Sequence, residues 1–341
     1  MGKGGDRAGT GASSALARRR LSDAGATLPG MRPALRAGLL PLWRDRETIQ
    51  IGVDPRRAVA LTGVSAAAGL IGLLDGSRDR DQVVAAAARL GIPVPLAERL
   101  LTLLAGAGLL IDYPAAVLRG LPADRRARLL PELAAASLAR QDADGGATVL
   151  ARRCAAHVRI DGPGPIAAAI TEILGAAGVA VATGGGNRAR RPAMLVLAGP
   201  LPDPAARLPD VPHLAVSARE AIGMVGPLVR PGVSACLRCL DLARADRDPG
   251  WPLILAQVSR RQAEPVACGA VLAAAVAAQA AAQVLAFVDC PAAAGPAENA
   301  TLELVQPGWQ WRRRGWPPHP ACTCRASDGY VGGYGEDGDS R

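Results

Sequence analysis

The chain has 341 residues, half of them hydrophobic, which leaves room for two domains and a sizeable core. Seven cysteines are too few for a secreted disulfide scaffold, and the opening Met1-Gly-Lys-Gly-Gly-Asp6 has no apolar signal core, so the expected setting is a reducing cytoplasm. The net charge of +9 rests almost wholly on arginine, Lys3 being the sole lysine, and it permits an acidic partner without selecting between nucleic acid and peptide.

Residues 1–28 are rich in Gly, Arg, Ala and Ser without periodicity and read as disordered. From Arg32 to Tyr113 the pattern is that of a small unit. Leu39–Trp43 is a short apolar run, Thr48–Val53 alternates as a strand, Asp54-Pro55 turns, and Ala58–Thr62 reads as another strand. Ser65 is placed as the cap of a helix running to Leu74, stopped by Asp75-Gly76. A second helix spans Gln82–Leu90, opened by Asp79 or Arg80 and ended by Gly91. Pro95 opens a third, Leu96–Leu104, with Leu96, Leu100, Leu103 and Leu104 on one face. Gly106-Ala-Gly108 breaks it before Leu109–Asp112. Three strands followed by three helices give a winged-helix-like order. Leu121–Arg140 is a polar-faced helix, and Gln141–Gly146 a joint where a domain boundary is expected.

The second unit opens as βαβ: strand His157–Ile160, the turn Asp161-Gly-Pro-Gly-Pro165, helix Ile166–Gly175 and strand Gly178–Ala182. Ala193–Leu197 and Pro212–Val216 read as buried strands. A helix is expected around Leu253–Arg260. Val266–Asp289 is long and apolar enough to span a bilayer. It is mostly alanine, with Gln279 and Gln283 inside, which favours a buried helix against a sheet over a membrane span. Strands Thr301–Val305 and Trp309–Arg313 follow. Residues 326–341 resemble the amino-terminal segment in composition. No internal repeat is evident.

Two constellations carry chemistry. Cys236 and Cys239 form a Cys-x-x-Cys, and Cys322 and Cys324 a Cys-x-Cys about eighty residues later. Four thiolates around zinc make a closed, structural site with no position for water, so the expected role is to hold the fold together. Four reduced thiols, or two disulfides, remain open, although neighbours such as Cys322 and Cys324 rarely have the geometry to bridge. His319 could replace one ligand, but its His-Pro setting reads more simply as a turn. The second constellation, Gly162-Pro-Gly164-Pro-Ile-Ala167, fits a dinucleotide fingerprint between strand and helix. Pro163 and Pro165 remove two donors that a phosphate would use. The acid expected after the second strand is missing, the run there being Val-Ala-Thr183-Gly-Gly-Gly186. Cys268, opening the alanine helix, could be an activated thiol but reads as a small core residue.

The second unit resembles the ThiF/MoeB-like, ubiquitin-activating-type superfamily, through the glycine turn and Gly226-Pro-Leu-Val-Arg-Pro231-Gly-Val-Ser-Ala-Cys236-Leu-Arg-Cys239. It is most similar to the ThiF-like proteins of thiazole/oxazole-modified peptide biosynthesis, which end in Trp-x-x-His-Pro-x-Cys-x-Cys, here Trp316 to Cys324. Those proteins carry a PqqD-like leader-peptide domain, and residues 32–113, with Leu73-Leu-Asp75-Gly76-Ser-Arg-Asp79, look like it. The resemblance implies an α/β fold: a Rossmann-like ThiF-type domain with structural zinc, preceded by a small winged-helix-like α+β domain. The expected organisation is a disordered start over 1–28, a PqqD-like peptide-recognition domain over 30–115 and a helical linker over 116–150. A ThiF-like domain over 151–325 and a disordered tail over 326–341 complete it.

The expected metal ligands are Cys236, Cys239, Cys322 and Cys324. Gly162, Gly164 and Ala167 form a degenerate cofactor turn at which no working ATP site is expected, and no catalytic residue is assigned. Asp203 is at most a relic of the family's metal-binding aspartate, and the run Gly184-Gly-Gly-Asn187-Arg-Ala-Arg-Arg191 is too short and lacks the acid and lysine that active members place around ATP. The resemblance implies a pseudo-enzyme that binds a leader peptide and docks onto a separate ATP-using partner such as a YcaO-type cyclodehydratase. The leader would add a strand beside Arg57–Thr62, touching Arg57, Val59, Leu61, Arg99 and Leu100, with Arg56, Arg57 and Arg99 favouring acidic residues. The competing expectation is that this edge is covered by Leu39–Trp43 or by the second domain. Two alternatives stand beside this reading. One is an active adenylyltransferase acting on a protein C-terminal carboxylate. The other is a winged-helix nucleic-acid regulator, disfavoured because the third helix offers only Arg99 as a base and the chain shows no Arg/aromatic interleaving of the base-stacking kind. A homodimer is left open, and no membrane association is expected.

Overall fold

The computed structural model describes residues 31–63, 68–113, 116–118, 120–142, 144–184, 191–199, 210–259 and 266–325. The expectations of disorder over 1–28 and 326–341, the cap Ser65, and Asn187 and Asp203 lie outside them. The chain divides into two compact units, one through Thr148 and one from Val149.

In the first unit, β1 (Pro33–Leu35), β2 (Pro41–Trp43), β3 (Thr48–Ile51) and β4 (Val59–Thr62) precede α1 (Ala68–Ile71), α2 (Arg80–Arg89) and α3 (Val94–Gly106); β5 (Leu110–Asp112) and α4 (Ala123–Arg140) follow. The alternation in β3 buries Ile49 and Ile51. They join Leu70, Val83, Leu100, Leu101 and Leu104 in one core, on which Val59, Leu61 and Leu96 pack part-buried. Asp79 caps α2 in a reciprocal capping box with Gln82. The helix expected to reach Leu74 ends at Ile71. Gly72 follows, and the Leu74 carbonyl instead accepts from Leu35 N–H at 2.9 Å, tying that segment to β1. β1 itself pairs antiparallel with β5.

β2, β3 and β4 form an antiparallel sheet in that order. Leu39–Trp43 therefore flanks β3 on the side away from β4 and does not cover the β4 edge, which corrects one expectation. Thr48 and Gly52 bond back to Arg44 and Leu40, so the even-numbered residues of β3 face β2. By antiparallel alternation Ile49 and Ile51 face β4 and bond its Leu61 and Val59. The backbone groups of Ala60 and Thr62 then point away from β3, to an edge that no strand pairs with among the described residues.

Helix α5 (Ala147–Ala155) leads into the second unit. Its strands are β6 (His157–Asp161), β7 (Ala180–Thr183), β8 (Met194–Ala198), β9 (His213–Arg219), β10 (Ile222–Val229), β11 (Ala300–Val305) and β12 (Gln310–Gly315). They form one seven-stranded sheet in the order β12-β11-β10-β9-β8-β6-β7. β7, β6, β8 and β9 run parallel, and β9 to β12 antiparallel. The helices are α6 (Pro165–Ala176), α7 (Leu237–Ala245), α8 (Trp251–Val258) and α9 (Ala270–Asp289). α6 and α9 pack on each other, and α9 lies on β9 and β10 with Leu272, Val276, Ala280 and Val284 in the central core. α9 is long and apolar enough to cross a membrane by length and composition, and half of that stretch is buried. A Cβ on Gly223 would meet Val276 of α9 at 2.3 Å. Met224, its neighbour, points to the opposite face, where α7 and α8 lie.

Candidate metal centre

Cys236 is the N-cap residue of α7, and Cys239 sits within its first turn, so one helical start aims both thiols the same way. Ala235 N–H donates to Asn299 Oδ1 at 2.7 Å, pinning this start to the loop before β11. After β12 the chain returns through Trp316, whose N–H donates to the Asn299 carbonyl at 2.7 Å and whose indole N–H donates to Thr301 Oγ1 at 2.9 Å. Trp316 is 2% exposed and packs with Val229, Leu240 and the cysteines.

The four sulfurs converge. Cys236 Sγ lies 3.8 Å from Cys239 and 3.7 Å from Cys322, Cys239 lies 3.5 Å from Cys324, and all four fall within 4.8 Å of one another. A tetrahedron of zinc–sulfur bonds of about 2.3 Å has edges of roughly 3.8 Å, so this quartet has the dimensions of a metal cage. A disulfide would need sulfurs at about 2.0 Å, and all four cysteines are free. Without a cation the cluster shares its protons unevenly. The Cys239 thiol falls to about 4 because Cys236 donates to its thiolate. Cys236 is pushed far up by the same hydrogen bond and by burial. Burial, then its hydrogen bonds to neighbouring sulfurs, raises Cys324 to about 11. A divalent ion replaces those shared protons with one positive centre. The cluster can therefore hold a metal ion.

His319 is not a ligand. Its Nδ1 accepts from Ala321 N–H at 3.1 Å, and its Nε2 donates to Asp246 Oδ2 at 2.8 Å, which leaves neither nitrogen for an ion. Its carbonyl accepts from Cys322 N–H at 2.9 Å and so sets the turn that presents the second pair.

A cavity of about 690 Å³ opens beside the cluster, between the sheet and α7–α8, lined by Ser217, Met224, Arg244, Trp251 and Cys322 among others. Burial raises the Asp241 carboxyl, against the hydrogen bond from the Trp251 indole and the charge of Arg244. Arg244, Arg247 and Arg314 stand 5.3, 5.3 and 5.9 Å from the Trp316 ring. Sequence reasoning singled out none of these arginines. Their one signal is proximity to the cysteine motifs, and spacing alone does not bring α7 and β12 together.

The glycine turn lies at the other part of the sheet. A Cβ on Gly162, at φ +137°, would sit 1.5 Å from the Ala198 carbonyl oxygen of β8. That contact explains the glycine by strand packing alone. Gly164, at φ +94°, caps α6 with no side-chain bond, and Pro165 occupies its first turn. Ala167 is buried in the core. Asp161 is held by Arg159 at 3.0 Å. We expect Gly162→Ala to cost roughly 1–3 kcal/mol through strain and displacement of β8, read as a lower urea midpoint with unchanged slope.

Among the peptide-contact candidates, Val59 and Leu61 are half-buried at the β4 edge, Leu100 is buried in the core of the first unit and Arg99 is exposed. Arg57 donates to the Leu138 carbonyl, and Arg56 pairs with Asp54 at 2.7 Å. Cys268 packs part-buried against the core, and burial raises its thiol, away from a reactive thiolate.

No model of a protein family matches the chain, and no curated protein matches it. Solved structures do, and they define the class of fold. The heterocyclase TruD superposes with a TM-score of 0.61 at 16% identity, over 86% of this chain and 42% of that one. E. coli MccB with ATP superposes at TM-score 0.54 and 14% identity, over 86% of this chain and all of MccB. MccB with AMPCPP and MccA gives 0.57 at 13% identity, over 87% and 100%. At these identities the likeness shows the fold, that of TruD and MccB, and this chain spans only 42% of the length of TruD.

Proposed function

We propose that the chain is a peptide-recognition and scaffold subunit. Its first unit, read as PqqD-like, captures the leader of a precursor peptide. Its second unit, a ThiF-like domain stapled by zinc, presents that peptide to a separate ATP-using cyclodehydratase of YcaO type. The observation that carries this is the β4 edge, which no strand covers among the described residues. The outward donors and acceptors of Ala60 and Thr62 offer a ladder to an extended strand, and half-buried Val59 and Leu61 lie at the margin of the apolar core. The glycine turn supports the non-catalytic half of the reading. Gly162 is accounted for by β8, and the two prolines withhold backbone donors from any phosphate. Solved relatives of the fold include MccB with the MccA peptide and a heterocyclase with substrate and cofactor, so the fold is compatible with peptide partners.

The parity of the β4 ladder selects the test. A proline at Val59 would break its bond to β3 and damage the sheet itself. A proline at Ala60 removes an outward donor and leaves the β3 bonds in place. Fluorescence anisotropy with candidate precursor leader peptides is expected to show binding that weakens about tenfold in Ala60→Pro, a loss of about 1.4 kcal/mol. Undiminished binding in that variant contradicts the proposed edge.

A further inference from the structure

β12 is the outermost strand of the seven-stranded sheet, and all six of its residues are exposed. Its register shows which backbone groups are free. Trp316 N–H bonds the Asn299 carbonyl, so Arg314, Arg312 and Gln310 turn their main-chain groups toward β11. Those of Trp311, Arg313 and Gly315 point outward, and no partner meets them among the described residues. Edges of this kind are templates for another strand.

The side chains specify which strand. Arg312 and Arg314 lie on the α7–α8 face, level with Glu303 and Thr301 of β11. Arg314 pairs with Glu303 at 3.3 Å and stands over the Trp316 ring. Arg244, Arg247 and Arg219 add to the same face, Arg219 and Arg314 being close enough to depress Arg244 by repulsion after its burial does so. Asp241 and Glu303 do not balance them, and Arg312 has no acidic partner among the described residues. On the opposite face Trp311 is 38% exposed, while Arg313 is folded back onto the carbonyls of Pro296 and Glu298.

We infer that the free edge of β12 is a docking strand for an extended acidic peptide, with carboxylates at alternate positions meeting Arg312 and Arg314 and apolar side chains between them covering Trp311. A second copy fits poorly. Antiparallel self-pairing centred on Arg313 sets Arg312 against Arg314 and Arg313 against itself, and like charges directly opposite destabilise a sheet. The repulsion that keeps copies apart favours an acidic strand. This site is separate from the β4 edge in the first unit and does not depend on it.

The test uses the full chain and an acetylated octapeptide of alternating Glu and Val, followed by tryptophan fluorescence and calorimetry. Saturable binding is expected. It should weaken on raising NaCl, and about tenfold or more in Arg312→Glu, whose circular dichroism is expected to match the wild type. It should persist in Ala60→Pro, and should vanish when alternate peptide amides are N-methylated. A Lys–Val peptide should bind Arg312→Glu better than the wild type. Four results overturn the inference: no saturable binding; binding lost in Ala60→Pro but kept in Arg312→Glu; concentration-dependent self-association abolished by Arg312→Glu; or tighter binding of an oligothymidylate that depends on Arg312.

Discussion

Replacing Cys239 with serine is expected to release a tightly bound zinc ion and to lower the melting temperature of the second unit by roughly 6–12 °C, for a loss of at least about 3 kcal/mol. The sulfur is fully buried and touches Cys236 and Cys324, so a hydroxyl there supplies a hard, protonated donor where the cage needs a soft anion. The cage joins the start of α7 to the segment after β12, which otherwise meet through Trp316 and the Asn299 contacts. Elemental analysis of reduced, untagged protein should find zinc in the wild type and none in the variant. Cys154→Ser, outside the cluster, should keep its metal.

The second large effect lies at the end of α9. Arg153 of α5 grips Asp289 with two hydrogen bonds of 2.8 Å, and their side chains are only 10% and 8% exposed. Arg152 donates at 2.7 Å to the carbonyl of the same aspartate. Asp289→Ala leaves a buried guanidinium without its counter-charge and is expected to cost about 3–5 kcal/mol. Replacing both residues with well-packed apolar ones, Arg153→Met with Asp289→Leu, should recover most of that loss. Chemical denaturation of the wild type and the two variants measures both values. Equal losses in the single and double variants would show that the helix end, not the uncompensated charge, carries the effect.

Periodicity placed the βαβ start, the third helix of the first unit and the alanine helix near their observed positions, because each has an uninterrupted apolar repeat. It failed where the structure depends on distant partners. β1 is three residues long and exists by pairing with β5, far along the chain. α5 straddles the expected boundary at residue 150 and is fixed by a distant partner, Arg153 being buried against Asp289. β10 was invisible for another reason. The β9–β10 hairpin turns on Glu220 and Ala221, both left-handed at φ 52° and 59°, a geometry that sequence normally announces with Asn or Gly. The Cys-x-x-Cys signals ligand spacing and no helix, yet Cys236 caps α7.

The cysteine quartet was fully legible, since ligand spacing is local within each pair. Its surroundings were not. Arg36 shows why: it is 2% exposed, and its guanidinium donates to Gly108, Ser137 and Asp142, a set of carbonyls that no local pattern predicts. The glycine turn is the opposite case. Its motif was visible, and the structure supplied a packing reason for Gly162 that the motif could not.

The proposed scaffold role requires that the chain not bind nucleotide. Titrating the full chain with Mg²⁺-ATP in a calorimeter tests this most directly. The expected result is no saturable heat up to millimolar ATP, with or without leader peptide. Micromolar ATP binding that disappears when Gly164 is replaced would contradict it and restore the reading of an active adenylyltransferase.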